Sequence, residues 1–177
     1  IVSSLLLSLS TLAWGAPTPA APLKVAATIF PLYDLVREVA GPAVEVVLLV
    51  PPGASPHTFT VKPGTVRALT GCVAVFTIGH GLDDWAARLA QEAGVKRTIV
   101  TDAGIALRRG YSEHHGTGQA QSQTAAHDAV DPHYWLSIPN AIRMVQFIGE
   151  VLVQLDPAAR ADYQQRAVAY EEQLRSA

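Results

Sequence analysis

The residues with the greatest capacity for chemistry are six histidines, and they are unevenly placed. His57 follows a turn-rich loop, His80 ends an apolar run, and His114, His115, His127 and His133 fall within twenty residues of one another. Neutral imidazole is a ligand for Zn²⁺, Cu²⁺ and Ni²⁺ and, together with carboxylates, for Mn²⁺ or Fe²⁺. Two histidines on converging loops would supply half of a four-coordinate site. Spacing alone leaves a surface or core role open for each of them. The single cysteine, Cys72, cannot form an internal disulfide and lies in the apolar stretch Cys72-Val-Ala-Val-Phe-Thr-Ile78, which reads as a core thiol. A hydrolytic metal centre would want a His-Glu-x-x-His motif or its equivalent, and the sequence contains none.

The elements that must position these histidines follow from the pattern of the chain. Lys24 to Ile29 is a short β-type run, Pro31 opens a helix through Ala40, and Gly41-Pro42 ends it before the β-branched run Val44 to Val50. A helix is expected from Pro63 to Thr70, and a strand apolar on both faces from Val73 to Ile78. A further helix is expected from Asp83 to Ala93, capped by Asp83 or Asp84, with a fourth strand from Lys96 to Thr101. Alternating strands and helices predict an open, mostly parallel α/β sheet flanked by helices, whose ligand sites lie beyond the carboxyl ends of its strands. His57 and His80 fall at such ends. The pattern lapses between 110 and 130, a polar loop carrying His114, His115 and His127. It resumes at Asp131-Pro-His-Tyr-Trp-Leu136, followed by a helix from Pro139 to Leu155 with Ser137 as its cap and Ile142, Val145, Ile148, Val151 and Leu152 on its apolar face. A last long helix reads from Pro157 to Ala177, with Tyr163, Ala167, Tyr170 and Leu174 on one face.

Composition excludes some partners. With 13 Lys and Arg against 15 Asp and Glu, and no basic run interleaved with aromatics, nucleic acid is not expected to bind. The apolar run from Ile1 to Leu12 is too short to span a bilayer, and small residues follow it before Ala16, so 1–15 reads as part of a secretory signal peptide and 16–23 as an extended leader. No cysteine stands at the cleavage position, so a chain free in the periplasm is expected.

Four motifs, in order along the chain, carry a resemblance. They are Phe30-Pro-Leu32; Val50-Pro-Pro-Gly-Ala-Ser-Pro-His57 with Phe59; Gly79-His-Gly-Leu-Asp83 with Trp85; and Asp131-Pro-His133 with Trp135-Leu136 and Asn140-Ala141. Together the chain resembles the zinc- and manganese-binding receptors of ATP-binding-cassette importers. The resemblance implies two α/β lobes joined by a long rigid helix, with the metal in the cleft between them. On that reading 24–155 is the N-terminal metal-binding lobe, 156–177 begins the interlobe helix, and the C-terminal lobe lies outside this sequence. His57 and His133 are then the two first-lobe ligands, His80 is a third candidate lining the cleft, and His114, His115 and His127 belong to a metal-collecting loop or a solvated linker. The implied cargo is Zn²⁺, with Mn²⁺ the alternative. The implied partner is a membrane permease, the implied receptor is a monomer, and no reaction is catalysed. A surface adhesin built on the same fold is the competing function. Two departures from the family pattern, Thr60-Val-Lys-Pro63 and Ser137-Ile-Pro139, spare both proposed ligands but put in doubt which carboxylate orients an imidazole. Asp131 is a candidate for that role, with turn formation the competing explanation.

Overall fold

Four short strands lie side by side in the order β2-β1-β3-β4, all parallel, in the computed structural model, which describes residues 22–109 and 129–177. The strands are β1 (Leu23–Ala27), β2 (Val44–Leu48), β3 (Ala74–Thr77) and β4 (Arg97–Val100). They are joined through α1 (Phe30–Ala40), α2 (Pro63–Ala68) and α3 (Trp85–Glu92), and followed by α4 (Ile138–Leu155) and α5 (Arg160–Ser176). The expected signal peptide, most of the leader and the loop histidines His114, His115 and His127 lie outside the described residues.

The middle of the sheet is covered on both faces, which is why β3 reads as an unbroken apolar run, while the edge strands β2 and β4 carry exposed residues. Val25, Ala27, Ala74 and Phe76 face a core shared with α1, α4 and α5, while Ala26 and Val75 face a second core formed with α2 and α3. In α1 the buried set Leu32, Leu35, Val36, Val39 and Ala40 repeats at helical spacing. Gly41 ends that helix at φ +69°, its N–H donating to the Arg37 carbonyl at 2.9 Å. In α4 the buried stripe includes Val145, Ile148, Val151 and Leu152 as expected, with Ala141 and Met144 added and Ile142 only partly covered. Gly149 lies where α1, α4 and α5 meet: a Cβ there would lie 3.4 Å from Ala167 Cβ and 3.7 Å from Val39 Cγ1, ordinary van der Waals distances.

In α5, Tyr163 and Ala167 are buried as the sequence predicts, but the third buried position is Glu171, with Tyr170 and Leu174 only partly covered. The Glu171 carboxylate accepts from Gln146 Nε2 at 3.0 Å and Arg175 Nη2 at 2.9 Å. These bonds offset the cost of taking a carboxylate out of water.

Every strand ends at the same edge. Beyond β1 stands Thr28, beyond β2 the loop to His57, beyond β3 Gly79 and His80, and beyond β4 Thr101 and Asp102. The parallel topology therefore gathers the polar residues of four separate loops along one rim.

Candidate metal centre

His57 sits in the middle of a single 3₁₀ turn, Pro56–Thr58. Its loop is closed by Ala54 N–H donating to the Pro51 carbonyl at 3.1 Å and Thr58 N–H donating to Ser55 at 3.3 Å. Two residues on, Phe59 rests on Trp85 with ring centroids 4.9 Å apart, tying the loop to the start of α3.

His133 is held from both sides. Ahead of it, Asp131 Oδ1 accepts the His133 backbone N–H at 3.0 Å and lies 2.9 Å from His133 Nδ1. Behind it, Tyr134 is buried, and its hydroxyl donates to the Ile78 carbonyl at 2.9 Å and meets Thr101 Oγ1 at 3.2 Å. Burial pushes the Tyr134 phenol upward, so it stays neutral and keeps its proton for that bond. Asn140 Nδ2 donates to the Tyr134 carbonyl at 3.1 Å, fastening the turn to α4. A cleft of about 270 Å³ opens beside His133, lined by Arg108, Asp131, Tyr134, Ser137 and Asn140 among others.

The two imidazoles meet although 76 residues separate them: His133 Nε2 lies 3.4 Å from His57 Nε2, with ring centroids 5.4 Å apart. Trp135 packs against His133 at a centroid separation of 5.2 Å. Burial pushes the Asp131 carboxyl up, but the two His133 bonds and the charges of His133 and Arg108 outweigh it and hold the carboxyl below the ordinary aspartate value.

His80 is arranged differently. It adopts φ +55° between two glycines that also have positive φ, and its Nε2 lies 2.9 Å from Asp102 Oδ2. Its ring meets the edge of Tyr134 at 6.1 Å. The structure thus pairs His57 with His133 and pairs His80 with a carboxylate. Among the described residues no group of three or more His, Cys, Asp or Glu side chains could hold a metal ion.

Asp83 serves a purpose the sequence reading did not anticipate. Of the two acids expected to cap α3, Asp84 takes the cap position, and Asp83 is instead fully buried at the strand ends. It accepts the Ile78 N–H at 2.8 Å, the Gly79 N–H at 2.7 Å and the Thr28 hydroxyl. Asp84 occupies the cap position of α3 without a side-chain cap bond, and the same holds for Ser137 at α4. Burial pushes the Asp83 carboxyl up, against the three hydrogen bonds. Asp83 therefore fixes the ends of β1 and β3, next to the turn that accepts the Tyr134 hydroxyl. An acid four residues beyond a glycine at a strand end was the available signal, since strand-terminal N–H groups need acceptors.

Comparison with known proteins places the fold. The family model described as zinc-uptake complex component A, periplasmic (ZnuA), matches residues 25–177. The zinc-binding lipoprotein AdcA of Streptococcus pneumoniae is 27% identical over 156 residues, covering 87% of this chain and 31% of the relative. The manganese-binding lipoprotein MntA of Halalkalibacterium halodurans is 26% identical over 155 residues, covering 86% of this chain and 46% of the relative. The structure of the SBP FpvC from Pseudomonas aeruginosa in complex with Mn²⁺ superposes with a TM-score of 0.76 at 30% identity, covering 88% of this chain and 54% of that one. The chain spans about a third to a half of the length of these proteins.

Proposed function

The chain belongs to the zinc-uptake complex component A family, and from that premise we propose that it captures a divalent transition metal for an ATP-binding-cassette importer, with His57 and His133 as its ligands. The observation that carries this reading is the 3.4 Å separation of the two Nε2 atoms. Two Zn–N bonds of about 2.0–2.1 Å at the tetrahedral angle span about 3.3–3.4 Å, so the two rings are spaced to share one ion. Ligands that are both imidazoles favour zinc, with manganese second.

Residues 24–155 then form the first lobe, and α5 begins the helix leading to a second lobe that supplies the remaining ligands. The greater length of AdcA, MntA and FpvC supports that division. His80 stays outside the ligand set because the structure brings His57 and His133 together and sets His80 against Asp102 and Tyr134. Capture involves no bond-making in a substrate: the imidazoles exchange water for the ion, and the loaded receptor docks on its permease as a monomer. The protein acts outside the cytoplasm, in keeping with a family described as periplasmic and with relatives described as lipoproteins. The free periplasmic form and a lipid-tethered one are separated by detergent-phase partitioning of the native protein.

Metal must compete with protons for imidazole nitrogen, and histidine side chains in general titrate near ~6.5. Calorimetric titration of the complete gene product with zinc and with manganese, above and below that pH, tests the proposal. Zinc should bind more tightly than manganese and lose affinity in acid; equal affinities, or binding indifferent to pH, would contradict it.

A further inference from the structure

The departures at Thr60-Val-Lys-Pro63 and Ser137-Ile-Pro139 leave open which carboxylate orients a ligand imidazole, and the structure offers one. We propose that Asp131 is the positioning residue of the metal site: it fixes His133 as the tautomer with hydrogen on Nδ1, so that the Nε2 lone pair faces His57 and the ion. This rests on the reading of His133 as a ligand.

Three observations converge on it. One oxygen, Asp131 Oδ1, receives both the backbone N–H of His133 at 3.0 Å and its ring Nδ1 at 2.9 Å, so the imidazole is fixed relative to its own backbone. The carboxylate is fixed in turn, because Asp131 N–H donates to the Arg108 carbonyl at 2.9 Å and the intervening Pro132 is buried with a restricted φ. The far nitrogen, Nε2, then points at His57 Nε2. A carboxylate oxygen can only accept, so the proton between Asp131 and the ring belongs to Nδ1 and the lone pair to Nε2. Carboxylates so placed raise the basicity of a metal-binding imidazole and remove its rotational freedom before the ion arrives.

The backbone bond from residue 133 to the side chain of residue 131 is also an Asx turn, which could serve folding alone. The test separates the two roles. In the complete gene product labelled with ¹⁵N-histidine, the His133 nitrogen shifts of the metal-free wild type should report the Nδ1–H tautomer. Asp131→Ala should shift that tautomer and weaken zinc binding by about 10–100-fold. Asp131→Asn, whose carboxamide oxygen accepts the same two bonds, should restore the tautomer and recover most of the affinity. A purely turn-forming residue would lower the melting temperature of Asp131→Ala while leaving the tautomer and the zinc affinity within about twofold of wild type, and that result overturns the proposal. So does an Nε2–H tautomer in the wild type, a measurement that needs no variant to fold. His133→Ala, titrated in parallel, identifies which idea has failed: if it too binds zinc normally, the ligand reading falls and takes the positioning role with it. If it loses binding while Asp131→Ala does not, only the positioning role falls.

Discussion

Removing the Asp83 carboxylate should loosen the edge of the sheet on which the site is built. The side chain is fully buried and accepts three hydrogen bonds, from Ile78 N–H, Gly79 N–H and the Thr28 hydroxyl. In Asp83→Ala the hydroxyl can rotate toward another acceptor, but the two backbone donors cannot turn. Each buried donor left without a partner costs about 1–3 kcal/mol, and the recovered desolvation of the carboxylate subtracts from the total. The expected loss is about 3 kcal/mol, a large part of the roughly 5–15 kcal/mol that holds a domain folded. With a urea dependence of about 1–3 kcal/mol per molar, the unfolding midpoint should fall by roughly 1–3 M at unchanged slope. Asp83→Asn keeps one oxygen to accept, so about half the loss is expected. Because Gly79 and Ile78 border the carbonyl that receives the Tyr134 hydroxyl, zinc affinity should fall alongside stability. An Asp83→Ala protein within about 0.5 kcal/mol of wild type would refute the argument, since the orphaned donors would then have found water or another partner.

Two further outcomes follow from the packing. Burial, followed by the nearby Asp156 charge, pushes the Tyr163 phenol up to about 12. Its folded value exceeds the ordinary tyrosine value of ~10, so its contribution is complete below pH ~10 and is lost as pH rises toward ~12. Relative to Tyr163→Phe, the wild type should lose on the order of 1–3 kcal/mol across that window in pH-dependent denaturation, and parallel curves would contradict the assignment. Phe59→Ala removes the contact with Trp85 that holds the His57 loop. Aromatic pairs contribute about 0.5–1.5 kcal/mol beyond area, so zinc affinity should weaken about 2–10-fold by calorimetry, and an unchanged affinity would show the loop to be held elsewhere.

The parallel sheet was legible because short β-type runs alternate with helical stretches: the wholly buried β3 lies within the apolar run Val73 to Ile78, and Pro31 and Gly41 bracket α1. Element ends shifted by one to three residues: Leu49 and Val50 continue to donate to Ala27 and Thr28 at 3.0 and 2.9 Å beyond the end of β2, and the expected helix from Pro157 opens with a 3₁₀ turn, Pro157–Ala159, so that α5 begins at Arg160. The pairing of His57 with His133 was foreseen from motifs and not from spacing, because nothing local tells two loops 76 residues apart that they will meet. The choice between Asp83 and Asp84 as the cap of α3 could not be made from the sequence for a related reason. An acid just ahead of a helix has the local signature of a cap, and only the assembled sheet edge reveals the strand-terminal donors that claim it instead. Glu171 illustrates the same blindness in α5, where its burial depends on Gln146 from a neighbouring helix.

The central claim is that His57 and His133 together bind the cargo ion, and zinc titration of the complete gene product beside His57→Ala and His133→Ala tests it most directly. Tight, stoichiometric binding in the wild type that is lost in both variants is the predicted result. Binding that survives both substitutions unchanged would contradict the account.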